Sequence, residues 1–218
     1  MAYDHEEQEQ LAALKAFWSR YGNIVTWVLI IALASYAVWN FWNTHQRGKS
    51  VEASALYDQL QVSVLAKDNA KVQRIATDIE SKYGSTAYAQ MAALGAAKTA
   101  FEADDLKTAK SRLQWVIDHG NDEYQSIARL RMSGLLLDEK AYDQALKMLD
   151  ADIVPEYAAA AADRRGDVLV AQNKLAEART AYQKALDGMD KKNPGRQLVE
   201  LKLEAIGGAP AAPAKAAA

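Results

Sequence analysis

Residues 165–186 read RGDVLVAQNKLAEARTAYQKAL. Apolar residues recur there every three or four positions, and the polar triplet Gln172-Asn173-Lys174 interrupts them once. That is the pattern of two amphipathic helices joined by a short turn, and so of an antiparallel helical hairpin. A small residue, Gly166, stands in the first helix, and Ala178, Tyr182 and Ala185 stand in the second. Moving outward from Ala178, the same arrangement returns at Ala145 and Ala109, 33 and 36 residues earlier. Three residues before each Ala lie Leu175, Tyr142 and Leu106. Four residues after lie Tyr182, Leu149 and Leu113, and eight after lie Leu186, Ile153 and Ile117. In the preceding helix, Gly166, Ser133 and Ala97 form one column and Leu169, Leu136 and Ala100 another. A small residue in the first helix lets the second approach closely. A single hairpin cannot bury its apolar face alone, so repeated hairpins stack into a right-handed solenoid.

The rest of the chain beyond the first fifty residues supports an all-α reading. Between Arg47 and Ile206 there are only two prolines, Pro155 and Pro194, and 43 of the 218 residues are Ala. No period-2 run is sustained. Breaks at Lys67-Asp68-Asn69, Gly84-Ser85, Ala103-Asp104-Asp105, Gly120-Asn121, Asp138-Glu139-Lys140, Pro155, Gln172-Asn173-Lys174 and Gly188 to Gly195 divide it into helices of about 12 to 18 residues. Residues 50–66 and 70–83 read as a fourth, degenerate hairpin. Gly195 to Ile206 reads as a closing helix with Leu198, Leu201 and Ile206 facing inward, a cap of the kind solenoid ends require. Gly207 to Ala218, with two Gly and two Pro, reads as a flexible tail.

The small-x3-aromatic-x2-Ala pattern of Ala178, Tyr182 and Ala185 resembles the tetratricopeptide repeat. The Trp and Tyr usual in the first helix of that repeat are absent from all three copies, as is the closing Pro. The resemblance implies that the first helices line a concave face. The positions it exposes there are Met91, Leu94, Lys98 and Phe101, then Ile127, Leu130 and Leu137, then Asp163, Asp167 and Val170. Met, Leu, Ile and Phe in such a groove suit extended or helical polypeptide segments.

The first fifty residues are built for another solvent. Four of the five Trp (Trp18, Trp27, Trp39, Trp42) fall between residues 18 and 42. Ile24 to Trp42 holds 19 residues, 16 of them apolar. As a helix this run rises about 28 Å, close to the roughly 30 Å of bilayer hydrocarbon. Trp18 and Tyr21 at one end and Trp39 and Trp42 at the other match the aromatic belts of a membrane span. The run is longer than a signal-peptide core and ends in Trp-Asn-Phe-Trp rather than a small-x-small site, so a permanent anchor is expected rather than a cleaved leader. Leu11, Leu14, Trp18 and Tyr21 form an amphipathic helix leading into it. Lys15 and Arg20 before the span balance Arg47 and Lys49 after it, so charge alone leaves the orientation open. The expected layout is a short N-terminal segment (1–20), an anchor (21–46), a repeat domain (47–206) and a tail (207–218).

Little in the sequence points to catalysis. There is no Cys, and His5, His45 and His119 lie far apart, which excludes thiolate chemistry and His-rich zinc sites. No Gly-rich phosphate loop or nucleophile elbow occurs. Asp104-Asp105 and Asp122-Glu123 fit solvated turns and helix starts, and His119 fits a helix C-terminus. Arg164 and Arg165 are flanked by Asp163 and Asp167, which favours local pairing. Trp115 fits the core. Residues 43–218 carry 24 basic and 24 acidic side chains, so nothing steers the domain toward nucleic acid or anionic lipid. No enzyme activity, cofactor, metal or small-molecule substrate is expected.

Lys15-Ala16-Phe17-Trp18, Trp42-Asn43-Thr44-His45-Gln46, Ala53-Ser54-Ala55-Leu56-Tyr57 and Ala159 to Leu169, with Ala162-Asp163-Arg164-Arg165-Gly166-Asp167 inside it, together resemble the YfgM-type ancillary subunits of the bacterial Sec translocon. The similarity runs over roughly residues 3–206. It implies an inner-membrane protein with its N-terminus in the cytoplasm and its repeat domain in the periplasm. The implied partners are translocon subunits and the periplasmic chaperones that receive exported proteins. A second reading is a scaffold or regulator of another cell-envelope assembly, for division or cell-wall synthesis. The two differ in location, an even membrane rim against septal enrichment.

Overall fold

A computed structural model describes residues 3–208; the expected tail, from Ala209 on, lies outside the described residues. All regular structure among the described residues is helical: α1 (Tyr3–Leu65), α2 (Asn69–Tyr83), α3 (Ala87–Glu102), α4 (Leu106–His119), α5 (Asp122–Asp138), α6 (Tyr142–Asp150), a 3-10 turn (Pro155–Tyr157), α7 (Ala158–Ala171), α8 (Leu175–Gly188) and α9 (Arg196–Ala205). Two units divide the chain, one up to Val51 and one from Glu52 onward.

The first unit is the apolar part of α1. It is long and apolar enough to cross a membrane. Its large side chains, Ile24, Trp27, Leu33, Trp39 and Trp42 among them, are exposed. Thr26 donates its hydroxyl to the Gly22 carbonyl at 2.8 Å, which removes a polar group that lipid would not solvate. The sequence predicts separate helices over the anchor and residues 50–66, whereas α1 is continuous to Leu65. The only residue near that boundary with weak helix propensity is Gly48, and a single Gly does not stop a helix.

The second unit is a row of four helical hairpins: the last turns of α1 with α2, then α3/α4, α5/α6 and α7/α8. Their turns share one geometry. Lys67, Asp104, Lys140 and Asn173 each adopt a left-handed backbone, with φ of 55°, 60°, 61° and 62°. In each, the residue's own N–H donates to the carbonyl three residues back, and the next N–H donates to the carbonyl five back, at 2.8–3.0 Å. This is a Schellman-type helix end, built without the usual Gly. The next helix starts at once: the N–H of Lys71 donates to Asp68 and that of Thr108 to Asp105, both at 3.0 Å. The acids at these turns are caps, as are the acids and Asn121 at the start of α5.

The columns read from the sequence are the core. Ala109, Ala145 and Ala178 are fully buried, and so are Leu113, Leu149, Tyr182, Ala97 and Ser133 to within a few per cent. At Gly166 a Cβ would sit 2.3 Å from the Tyr182 ring, so only Gly fits. The first hairpin reverses the volumes: Leu60 takes the small residue's place and Ala76 the large one's, both buried in one cluster.

Two elements differ from expectation. Ile153 is not the end of α6, because α6 stops at Asp150 and residues 151–154 run extended. The Val154 N–H donates to Ser126 Oγ at 3.1 Å and Arg129 donates to the Asp152 carbonyl at 2.9 Å, which pins this segment on α5. Pro155 then prevents helix from resuming in register. In α9 the inward residues are Val199 and Leu203, both nearly fully buried, while Leu198 and Leu201 are 57% and 56% exposed. The reason is polar: Lys202 binds Asp163 and Asp167, each at 2.8 Å, and Arg196 donates to the Leu186 carbonyl, which sets the rotation of α9.

Candidate functional site: a groove along the first helices

The first helices of three hairpins, α3, α5 and α7, share a groove with a cavity of 380 Å³. Its floor is apolar, from Ala97, Leu113 and Leu135. Its walls carry Lys98 and Phe101 from α3, Arg131 and Asp138 from α5, and Arg164 from α7. Phe101 is 47% exposed although its neighbours one helical turn inward belong to the core. An aromatic ring left open beside a cavity offers apolar contact area and a face for stacking.

The cations around it are only partly engaged. Arg131 donates to the Leu94 carbonyl at 3.3 Å. Arg164 stands 3.5 Å from Asp167, and its guanidinium lies over Gly134, where a side chain would crowd it. Lys98 lies 3.6 Å from Glu102 at the solvent edge. Among the described residues Asp138 forms no ion pair. The groove therefore combines an apolar floor with guanidinium donors that retain free N–H groups, a combination suited to polypeptide carboxylates and side chains.

The ten residues predicted for this face divide into three groups. Lys98 and Phe101 line the cavity. Leu94 is buried in the core beneath it, Ile127 and Leu137 pack half-buried against the same core, and Met91, Leu130 and Val170 are half-buried. Asp163 and Asp167 turn toward α9. Tyr182 donates its hydroxyl to Asp167 at 2.9 Å, and Lys202 bridges both carboxylates. Burial pulls the Lys202 ammonium downward, but the bonds to Asp163 and Asp167 outweigh it and its pKa lies above the ordinary lysine value. Burial, the Asp167 charge and the hydrogen bond to it push the Tyr182 phenol far up. The two aspartates thus lock the last hairpin to its closing helix.

Sequence reasoning did not single out Arg131, Gly134, Leu135, Asp138 and Arg164 for the groove. A signal for three of them existed. Gly134 occupies the column of Lys98, and Arg131 and Arg164 are 33 residues apart, at the repeat spacing. Arg165 pairs with Asp150 of α6. Trp115 packs between two buried clusters and stacks on His119, ring centroids 4.8 Å apart, while His119 Nδ1 lies 3.0 Å from the Trp115 carbonyl oxygen.

A second polar centre joins neighbouring hairpins. Arg112 of α4 donates to Glu80 at 2.6 Å, to Thr77 at 2.7 Å, and to the side chain and carbonyl of Gln73 at 3.0 Å each, all on α2. Burial raises the Glu80 carboxyl above its usual range, and the Arg112 charge and hydrogen bond offset only part of that. Its partners are all structural. Among the described residues no three His, Asp or Glu side chains gather in metal-holding geometry.

The four Trp and Tyr side chains expected at the membrane interfaces, Trp18, Tyr21, Trp39 and Trp42, are exposed along α1. Phe17 packs on Tyr21 with centroids 5.2 Å apart, and Arg20 lies 5.7 Å from the Tyr21 ring.

A family model described as a tetratricopeptide repeat-like domain matches residues 15–208. The ancillary SecYEG translocon subunit of Neisseria gonorrhoeae is 30% identical over 208 residues, covering 94% of this chain and 100% of the relative. That of Haemophilus influenzae is 31% identical, covering 85% and 91%. That of Escherichia coli is 27% identical, covering 81% and 85%.

Proposed function

Because the chain belongs to the tetratricopeptide repeat-like family of ancillary SecYEG translocon subunits, we propose that it is a non-catalytic, membrane-anchored adaptor at the Sec translocon. Its hairpin domain connects emerging exported proteins with periplasmic chaperones. The observation that carries this reading is the end-to-end match to a translocon subunit, over the whole of the relative's length. A domain-only match would have left the anchor, and so the site of action, unsupported.

The layout follows. Residues 1–20 lie in the cytoplasm, 21–46 span the inner membrane once with Trp18, Tyr21, Trp39 and Trp42 at the interfaces, 47–206 form the periplasmic repeat domain, and 207–218 form a tail. The four hairpins are degenerate tetratricopeptide repeats, supported by their shared turn geometry and by the buried small and large columns. The groove along α3, α5 and α7 takes a polypeptide segment, with Lys98 and Phe101 as its predicted contacts and Arg131 and Arg164 beside them.

Site-specific photo-cross-linking from Phe101 in native membranes tests the reading. Adducts with translocon subunits, chaperones or an exported protein are expected. Adducts confined to division or cell-wall proteins would replace it with the scaffold reading. Protease added to spheroplasts is expected to digest the hairpin domain, and protection would reverse the orientation.

A further inference from the structure

The early stop of α6 leaves a second groove on a different side of the hairpin row. Both α4 and α8, the corresponding helices, have 14 residues, whereas α6 has 9. The five missing residues amount to about 7.5 Å of helix. The segment that would have filled this space is held on α5 by Ser126 and Arg129. Behind it opens a cavity of 590 Å³ between α6, α7 and α8.

The lining of this cavity is specific. Leu146, Leu149 and Ile153 form one apolar wall, and Ala158, Ala161 and Ala181 make a shallow floor. Small side chains on a floor between helices allow another helix to approach closely, as Ala and Gly do within this domain's own hairpins. Lys174 and Lys184 stand on the α8 wall, ten residues apart, which places them about 15 Å apart along the helix. Neither lysine forms an ion pair among the described residues. Glu177 is the one acid on that wall, and Arg165 is neutralised by Asp150.

We propose that this groove binds an amphipathic α-helix of another protein, with a Leu- or Ile-bearing face on the alanine floor and acidic residues set about three turns apart against Lys174 and Lys184. The helix supplies the packing that the absent end of α6 leaves out. Two unpaired cations flanking an apolar trough favour an acidic helix over a neutral or basic one. The chain's own C-terminal segment, Ala209 to Ala218, has no acid and two prolines within it or at its start, so its chemistry does not fit. The inference goes beyond the translocon assignment and stands or falls separately from it.

The probe is a fluorescein-labelled, helix-forming peptide of about 14 residues, with Leu at helical spacing and Glu on the flanks. Its binding to the full-length protein in nanodiscs is read by fluorescence anisotropy, with empty nanodiscs subtracted. Saturable binding is expected. The double variant Lys174→Glu/Lys184→Glu should weaken it roughly tenfold, the size expected when two rim pairs turn from attraction to repulsion. Thr180→Trp, at an exposed lining position, should block it while helical content stays unchanged. Phe101→Ala, on the other groove, should leave it intact. The inference is overturned by the absence of binding, by equal binding of a peptide with its Leu positions scrambled or Glu replaced by Lys, or by loss on Phe101→Ala with none on Thr180→Trp.

Discussion

Ile30 and Leu186 are both aliphatic residues in long helices, yet Ile30 is exposed and Leu186 is almost fully buried. The difference holds for their whole regions. The first unit shows its large apolar side chains on every side of one helix. The second hides a core made largely of Ala columns, with a few Leu, Ile, Val and Tyr. One region is written for lipid, where the surroundings complete the packing. The other must complete its own packing in water, and it does so by matching small residues to large ones across each hairpin.

Substitutions that act in only one of the two regions sharpen this contrast. The largest expected effect is Leu186→Ala, which should lower the unfolding free energy of the hairpin domain by about 4 kcal/mol. Ile30→Ala should leave that transition in place when denaturant unfolding is followed by circular dichroism in detergent. Equal losses would mean that the two regions share one core. Next is Leu33→Arg, which places a charge near the middle of the apolar run and should cost about 3 kcal/mol of insertion. Release of the variant by carbonate extraction would be the readout. Leu201→Arg, on the exposed face of α9, should stay within about 0.5 kcal/mol of the parent in domain stability.

Glycine supplies a smaller contrast. Gly166→Ala forces a Cβ into the Tyr182 ring and should cost about 2 kcal/mol by overpacking. At Gly48 an added Cβ meets nothing within 4 Å, so Gly48→Ala should be neutral or stabilise the helix by up to about 1 kcal/mol. A thermal melt of each variant separates the cases. The smallest effect concerns Glu80. Its folded carboxyl binds a proton more tightly than the unfolded one, so the folded state holds more protons above the usual value of 4.5. Stability from this group is therefore greatest at low pH and declines as pH rises from 4.5 through the raised folded value. Glu80→Gln should flatten that slope in a pH series of denaturant midpoints, and an unchanged slope would assign it to other groups.

The hairpins were legible because their turns and columns obey local rules. The polar triplets around Asp104, Lys140 and Asn173 mark the turns, and Ala109, Ala145 and Ala178 recur at one spacing. The first hairpin was harder to read because Leu60 and Ala76 exchange the usual volumes; the pair fills the same space, but a column comparison shows a mismatch. The end of α6 escaped because its fate is decided by Ser126 and Arg129, which lie some 25 residues away. The phase of α9 escaped for the same kind of reason. Leu198, Leu201 and Ile206 make an acceptable apolar face by themselves, and only Lys202 seated between two aspartates of α7 selects Val199 and Leu203 instead. The groove residues Arg131 and Arg164 carried a spacing signal but not an apolar one, so a search for hydrophobic positions passed over them.

The latch at Lys202 also has a consequence in time. Synthesis proceeds from the N-terminus, so each earlier hairpin has its successor to stack upon soon after it forms, while the last must wait for α9. Until those residues arrive, Tyr182 and Asp167 hold each other without the cation that closes the cluster, and the apolar surface awaiting Val199 and Leu203 stays wet. The domain's final hairpin is thus a late-maturing element whose completion marks the arrival of nearly the whole chain.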